Sequence, residues 1–156
     1  MIITNAMRLL RQAGIPFDTA EYQVDESDLS GVHLADTMGV DVDCVFKTLV
    51  TRSSPKNLFV FCIPAAQELD LKKCASLVGE KKIEMIHVRE LPALTGYIRG
   101  GCSPVGMKKK FPTYFDETAL LFDRIYVSAG QRGVQLLIAP EALADYCEAT
   151  FADISK

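Results

Sequence analysis

Two apolar runs, DCVFKTLVTR and NLFVFCIP, flank the tetrapeptide SSPK between positions 43 and 64. Serine and proline favour a turn, and the flanking runs are rich in Val, Phe, Ile and Leu but too short for independent helices. The stretch therefore predicts a hairpin with a longer loop, which commits the chain to a sheet needing cover on its apolar faces. Helical spacing supplies that cover. Thr4 caps a helix over 5–13 with Ala6, Leu9, Leu10 and Ala13 on one face, and a short helix follows over 32–38. Asp70 caps a helix carrying Leu71, Cys74, Ala75 and Val78, and PEALADYCEA closes the chain with Pro140 in its first turn. PFDTAEYQV reads as extended, KKIEMIHV, TYFD, RIYVSAG and VQLLIAP read as further strands, and RELPALTG as a short helix or turn. Strands joined by short turns pair antiparallel. The expected fold is a single α/β domain with a mixed, largely antiparallel, curved sheet flanked by helices.

Within the hairpin one residue breaks the pattern. Lys47 shares a strand face with Val45 and Leu49, because side chains alternate at period two. Such a lysine either snorkels to solvent from an edge strand or stands partly desolvated, ready for an anion or a developing oxyanion. The second anomaly is GYIRGGCSPVGMKKKF, from Gly96 to Phe111. Gly100 and Gly101 permit positive φ and close approach of a ligand to the backbone, while Pro104 removes one donor and stiffens the next bond. Successive N–H groups in such a turn can form an anion-binding concavity. Neither a phosphate-binding P-loop nor a G-x-S-x-G elbow is matched. Ser103 has no histidine near it in sequence, and Cys102 reads as a small packed hydrophobe unless a cation lowers its pKa. Lys108, Lys109 and Lys110 form a solvated face or a phosphate-facing strip beside the loop. SAGQRG, from Ser128 to Gly133, is a second glycine turn bearing Arg132.

Composition narrows the function classes. The 156 residues carry a formal net charge of −3, so nucleic acid is met only through a local basic patch. The five cysteines form no CxxC pair, and the two histidines, His33 and His87, lack zinc-type spacing. No run has the length of a membrane span and the first residues lack a signal-peptide core. A reduced, cytoplasmic protein without metal or other cofactor is expected.

VFKTLV, GYIRGGCSPVGMKK and SAGQRGVQL, taken in that order, resemble the YbaK family of Cys-tRNA(Pro) deacylases, relatives of the editing domain inserted in many bacterial prolyl-tRNA synthetases. The resemblance extends over nearly the whole chain. It implies hydrolysis of the ester linking a wrong amino acid to the 3′ end of tRNA, with mischarged tRNA(Pro) as substrate. Prolyl-tRNA synthetase is the implied partner, in a ternary complex with tRNA, and a homodimer would cover sheet edges. Lys47 matches the family's essential lysine. Gly100, Gly101, Ser103 and Pro104 match its G-G-x-S-P loop, which includes Cys102; Gly130 and Arg132 match its second turn, and Tyr22 a tyrosine near the pocket. Gln135 departs from the acidic residue that some members carry two positions after Gly133, which removes a carboxylate base from that place.

An aminoacyl ester is already activated, so oxyanion stabilisation and a positioned nucleophile suffice. Backbone N–H groups near Gly101 to Ser103 can serve the oxyanion. For a cysteinyl ester the nucleophile can be the substrate's own thiol, since well-oriented intramolecular attack reaches effective molarities of roughly 10⁵ M or more. Lys47 then either anchors the terminal adenosine or stabilises charge on the carbonyl. Rival readings are a same-fold deacylase for alanyl or seryl esters using water, a non-catalytic module that binds aminoacyl-tRNA or synthetase, and a small-molecule-binding domain.

Overall fold

The computed structural model describes residues 2–156. Helix α1 (Asn5–Gln12) starts where the Thr4 side chain accepts a hydrogen bond from the Met7 N–H at 3.3 Å. It buries Ala6, Met7 and Leu10, while Leu9 is half-buried and Ala13, expected on the inward face, is exposed just past the helix end. Strand β1 (Asp18–Glu21) comes next, then α2 (Gly31–Met38), capped by Ser30 and stopped by Gly39 at φ +69°. The expected hairpin is β2 (Phe46–Ser54) paired with β3 (Asn57–Pro64), in register from Phe46↔Pro64 to Arg52↔Leu58 and then shifted before the turn. Asp70 caps α3 (Leu71–Val78) by accepting from the Lys72 and Lys73 N–H groups, and Cys74 and Ala75 are its buried residues.

The strand expected in KKIEMIHV shrinks to β4 (Glu84–Met85), which pairs with Arg52 and Thr51. The Glu90 carboxylate accepts from the His87 N–H at 3.0 Å and turns the chain into a 3₁₀ segment and the short helix α4 (Leu91–Thr95). That local bond competes with further strand pairing. The remaining elements are β5 (Thr113–Asp116), β6 (Ile125–Ser128), β7 (Val134–Ile138), α5 (Pro140–Cys147) and β8 (Thr150–Ala152).

The expected single curved sheet divides into two. A three-stranded sheet has the order β1-β7-β6 and a five-stranded sheet the order β4-β2-β3-β5-β8. Pairing is antiparallel except for β3 with β5 and β5 with β8, so the sheets are mixed and mostly antiparallel. A parallel bridge between Val45 and Tyr126 joins them at the start of β2. The main core, with Leu10, Phe115, Val127, Leu136 and Leu143, lies between the sheets and under α1 and α5. A second core under α3 gathers Phe59, Phe61, Ile63, Cys74 and Ile154. Among the described residues no helix is long and apolar enough to cross a membrane.

Asp116 fastens the chain end to this frame. It is 1% exposed, and its Oδ1 accepts from the N–H groups of Ile154 and Ser155 at 3.2 Å each and from the Ser155 hydroxyl at 3.1 Å. Its Oδ2 accepts from the Thr118 N–H and hydroxyl. Asp116→Ala strands buried donors that each cost about 1–3 kcal/mol when unpaired. The variant is expected to lose about 3 kcal/mol, read as a lower urea midpoint at unchanged m-value.

Candidate functional site

The edge of β2 opposite β3 is shared between two partners. The Val45–Tyr126 bridge holds its start, and β4 pairs near its end at Thr51 and Arg52. Between these contacts, Phe46 to Leu49 have no strand partner on that side. A cavity of about 380 Å³ opens there. One wall is the start of α2 with Leu29 and Ser30 before it; another is the segment 85–91; and the rest comes from Arg99, Gly100, Cys102, Ser128 and Gln135. Gly31 is required at the α2 wall, since a Cβ there would stand 2.3 Å from the Ala65 Cβ.

Lys47 lines this cavity together with all its neighbours from Val45 to Val50, so residues of both strand faces border it. The lysine is half-buried and makes no ion pair among the described residues. Burial pushes its pKa below the ordinary lysine value, and the charge of Glu68 opposes that shift. A cation held so, without a fixed counter-ion, is available to an anionic or oxyanionic ligand.

The glycine loop folds tightly beside it. Gly100 takes φ +84°, as its freedom from a Cβ allows. Gly101 needs no positive φ; a Cβ there would lie 3.0 Å from the Gln131 Cα and 3.2 Å from the Arg132 nitrogen. Its requirement is close packing of the loop on the 128–133 turn. The Gly101 N–H donates to the Ile98 carbonyl at 2.9 Å, while the N–H groups of Cys102 and Ser103 make no backbone hydrogen bond among the described residues. Arg132 locks the two turns together: its Nε donates to the Arg99 carbonyl at 2.8 Å, and its guanidinium pairs with Glu26 at 2.6 Å. Gly130, at φ +110°, packs on the Tyr97 ring, whose hydroxyl donates to the Val105 carbonyl.

The two nucleophile-bearing side chains of the loop are both buried. Cys102 is 8% exposed, packs with Val50, Leu58 and Val60, and has its thiol pushed up to about 12 by burial. Ser103 is fully buried, and its hydroxyl accepts from the Val105 N–H at 3.2 Å. The Pro104 carbonyl accepts from the Cys147 thiol at 3.5 Å, away from the cavity lining.

The structure thus brings Lys47, Gly100 and Cys102 to one cavity, with Gly101, Gly130 and Arg132 directly behind it. Tyr22 sits apart, lining a smaller recess that shares Gly100, Leu29 and Ser30 with the main cavity. Lys108, Lys109 and Lys110 lie outside the lining; the Lys108 stem packs over Gly96, and Lys110 pairs with Glu148 at 2.5 Å. Arg99 and the α2 start are not singled out from sequence, and Ser128 enters there only as the first residue of SAGQRG. The signal for Arg99 was its place inside the glycine loop, and for Gln135 a polar residue in an otherwise apolar strand. Among the described residues no group of three or more His, Cys, Asp and Glu side chains is placed to hold a metal ion.

Comparison with known proteins adds four findings. The model of the family described as aminoacyl-tRNA editing domain matches residues 30–146. A protein of Enterococcus faecalis bearing the name Cys-tRNA(Pro)/Cys-tRNA(Cys) deacylase EbsC is 48% identical over 152 residues, covering 97% of this chain and 93% of that protein. Among solved structures, one described as a trans-editing enzyme for prolyl tRNA synthetase has TM-score 0.84 at 26% identity, covering 100% of this chain and 99% of that one. Another, of a hypothetical protein, has TM-score 0.87 at 22% identity over 96% and 97% of the two chains and speaks to the fold alone.

The depressed lysine makes a prediction about stability. With its folded pKa below the unfolded one, charged Lys47 opposes folding at neutral pH, and that penalty fades as pH rises through the folded and then the unfolded pKa. Lys47→Met is expected to unfold at a slightly higher temperature than wild type at pH 7. The difference should narrow in scans at progressively alkaline pH.

Proposed function

Because the chain belongs to the aminoacyl-tRNA editing domain family, we propose that it is a trans-editing deacylase that hydrolyses the ester of cysteine mistakenly joined to tRNA(Pro). The 48% identical relative that carries that activity in its name supports the substrate. The carrying observation for the mechanism is the placement of an unpaired, half-buried Lys47 in the same cavity as a loop whose own thiol and hydroxyl are buried. Neither side chain is placed as an attacking group: Cys102 lacks thiolate character and the Ser103 hydroxyl is spent inside the loop.

The attacking atom is then the substrate's. The cysteinyl thiol gives up its proton, its sulfur bonds to the ester carbonyl carbon, and the bond to the ribose 3′ oxygen breaks. That oxygen takes a proton to leave an intact tRNA, and water later opens the thiolactone to free cysteine. The developing oxyanion is met by the loop backbone, with the N–H groups of Cys102 and Ser103 as the donors not committed to other backbone groups. Gly101 serves by letting the turn sit against Gln131 and Arg132. Lys47 supplies positive charge at the carbonyl or at the phosphate of the terminal nucleotide. Gly130 and Arg132 brace the loop, and Tyr22 reaches the substrate through the adjoining recess.

A net charge of −3 with one three-lysine strip gives modest purchase on tRNA alone. Lys108, Lys109 and Lys110 contact the tRNA backbone beyond the acceptor end, and prolyl-tRNA synthetase delivers the tRNA in a ternary complex in the cytoplasm. A homodimer would cover one of the open edges at β1 or β8.

Deacylation of Cys-, Ala- and Ser-tRNA(Pro) tests this reading. Wild type is expected to cleave the cysteinyl ester and to spare the alanyl ester, and Lys47→Ala to lose about 10²–10³-fold in kcat/KM. Cys102→Ala should stay near wild-type rates. Equal cleavage of the alanyl ester would point to water as the nucleophile, and a folded but inactive Cys102→Ala would overturn the bystander role of that thiol. Gly101→Ala is expected to lower kcat/KM at least tenfold, because overpacking of about 1–3 kcal/mol pushes the loop off the 128–133 turn.

A further inference from the structure

Strand β7 carries an anomaly of the same kind as Lys47. Val134, Leu136 and Ile138 are fully buried in the main core, and between them Gln135, on the opposite face, is 3% exposed. It lines the 380 Å³ cavity, opposite Ser128 on β6 in the strand register. Its side-chain oxygen is buried and accepts no hydrogen bond among the described residues. Buried amide carbonyls are almost always paired, and leaving one unpaired costs free energy, so an orphan in a native fold calls for a partner. The Ser128 hydroxyl accepts from the Gly130 N–H at 3.1 Å and makes no hydrogen bond to Gln135 among the described residues.

We infer that Gln135 is a specificity-determining residue whose side-chain oxygen accepts a hydrogen bond from the α-amino group of the aminoacyl ester. The inference rests on the deacylase reading. On its acyl side, a cysteinyl ester offers two donors, the α-amino group and the thiol; the neighbouring ribose 2′-hydroxyl is common to every aminoacyl ester and confers no amino-acid specificity. The thiol is a weak donor, and holding its proton works against its attack. The amino group is a strong donor, charged or neutral. The amide also fits its electrostatic setting. Lys47 and Arg99 line the same cavity, and a carboxylate beside them would be drawn into an ion pair. A neutral amide keeps its oxygen for the substrate and accepts from the amino group in either protonation state. Recognition of this type rejects an analogue that lacks the donor, because the site's acceptor is left unpaired in the complex.

The test compares cysteinyl-tRNA(Pro) with 3-mercaptopropionyl-tRNA(Pro), which keeps the thiol and lacks only the amino group. Wild type is expected to prefer the cysteinyl ester by roughly 10–100-fold in kcat/KM, the range for one hydrogen bond to a charged group. Gln135→Met should reduce that preference to within about threefold. A Gln135→Met variant with the wild-type ratio overturns the inference, as does a wild type that cleaves both esters equally. If Gln135→Met does not fold, the side-chain amide resonances of Gln135 in wild type decide. They should shift with 3′-cysteinylamino-3′-deoxyadenosine and not with its 3-mercaptopropionyl counterpart, and equal shifts with both overturn the inference. A wild type inactive on both esters sinks the deacylase reading instead, while the titration still judges Gln135.

Discussion

Along β2, the backbone groups of Phe46 to Leu49 pair with β3 on one edge and with no strand on the other. A sheet tolerates such a gap only where something holds its ends. Here the Val45–Tyr126 bridge grips one end and β4 the other. The cavity at this gap is lined by residues of both sheets, by the start of α2 and by the glycine loop. Lys47, Gly100, Cys102 and Gln135 all line this opening. The unpaired cation comes from the strand itself, the free backbone donors from the loop packed over it, and the orphaned amide from the second sheet.

Rigidity around the opening comes from packing and short polar ties. Glycine matters at Gly101 because another backbone lies 3.0 Å from where a Cβ would be, and at Gly31 because Ala65 fills the space. Arg132 joins three separate stretches through the Arg99 carbonyl and Glu26. Such ties hold the glycine loop in one position against the 128–133 turn.

The hairpin was legible in the sequence because turn residues and strand composition agree within twenty-two residues. The helix starts were legible through Thr4 and Asp70, whose side chains act on the first turn they precede. Lys47 and the glycine loop stood out because each violates its local pattern. What remained hidden depends on distant partners. The division into two sheets turns on a single bridge between residues eighty-one positions apart. The shortening of KKIEMIHV comes from the Glu90–His87 bond and from the two residues of β2 edge left to pair. Gly101 looked like a φ requirement and is a packing one, since only the fold brings Gln131 against it.

The same burial that disarms Cys102 has a bearing on survival. Cysteine and its thiolactone can modify proteins, the first by mixed-disulfide formation and the second by acylation, and on cysteine residues both routes run through a thiolate. Four of the five cysteines are buried. Desolvation raises the thiol pKa of all four, to about 12 for Cys74, Cys102 and Cys147. The fifth, Cys44, is raised as well, by partial burial and by Asp41 and Asp43 beside it. Burial therefore holds every thiol of the chain toward its protonated form, the form that takes no part in disulfide exchange or acylation.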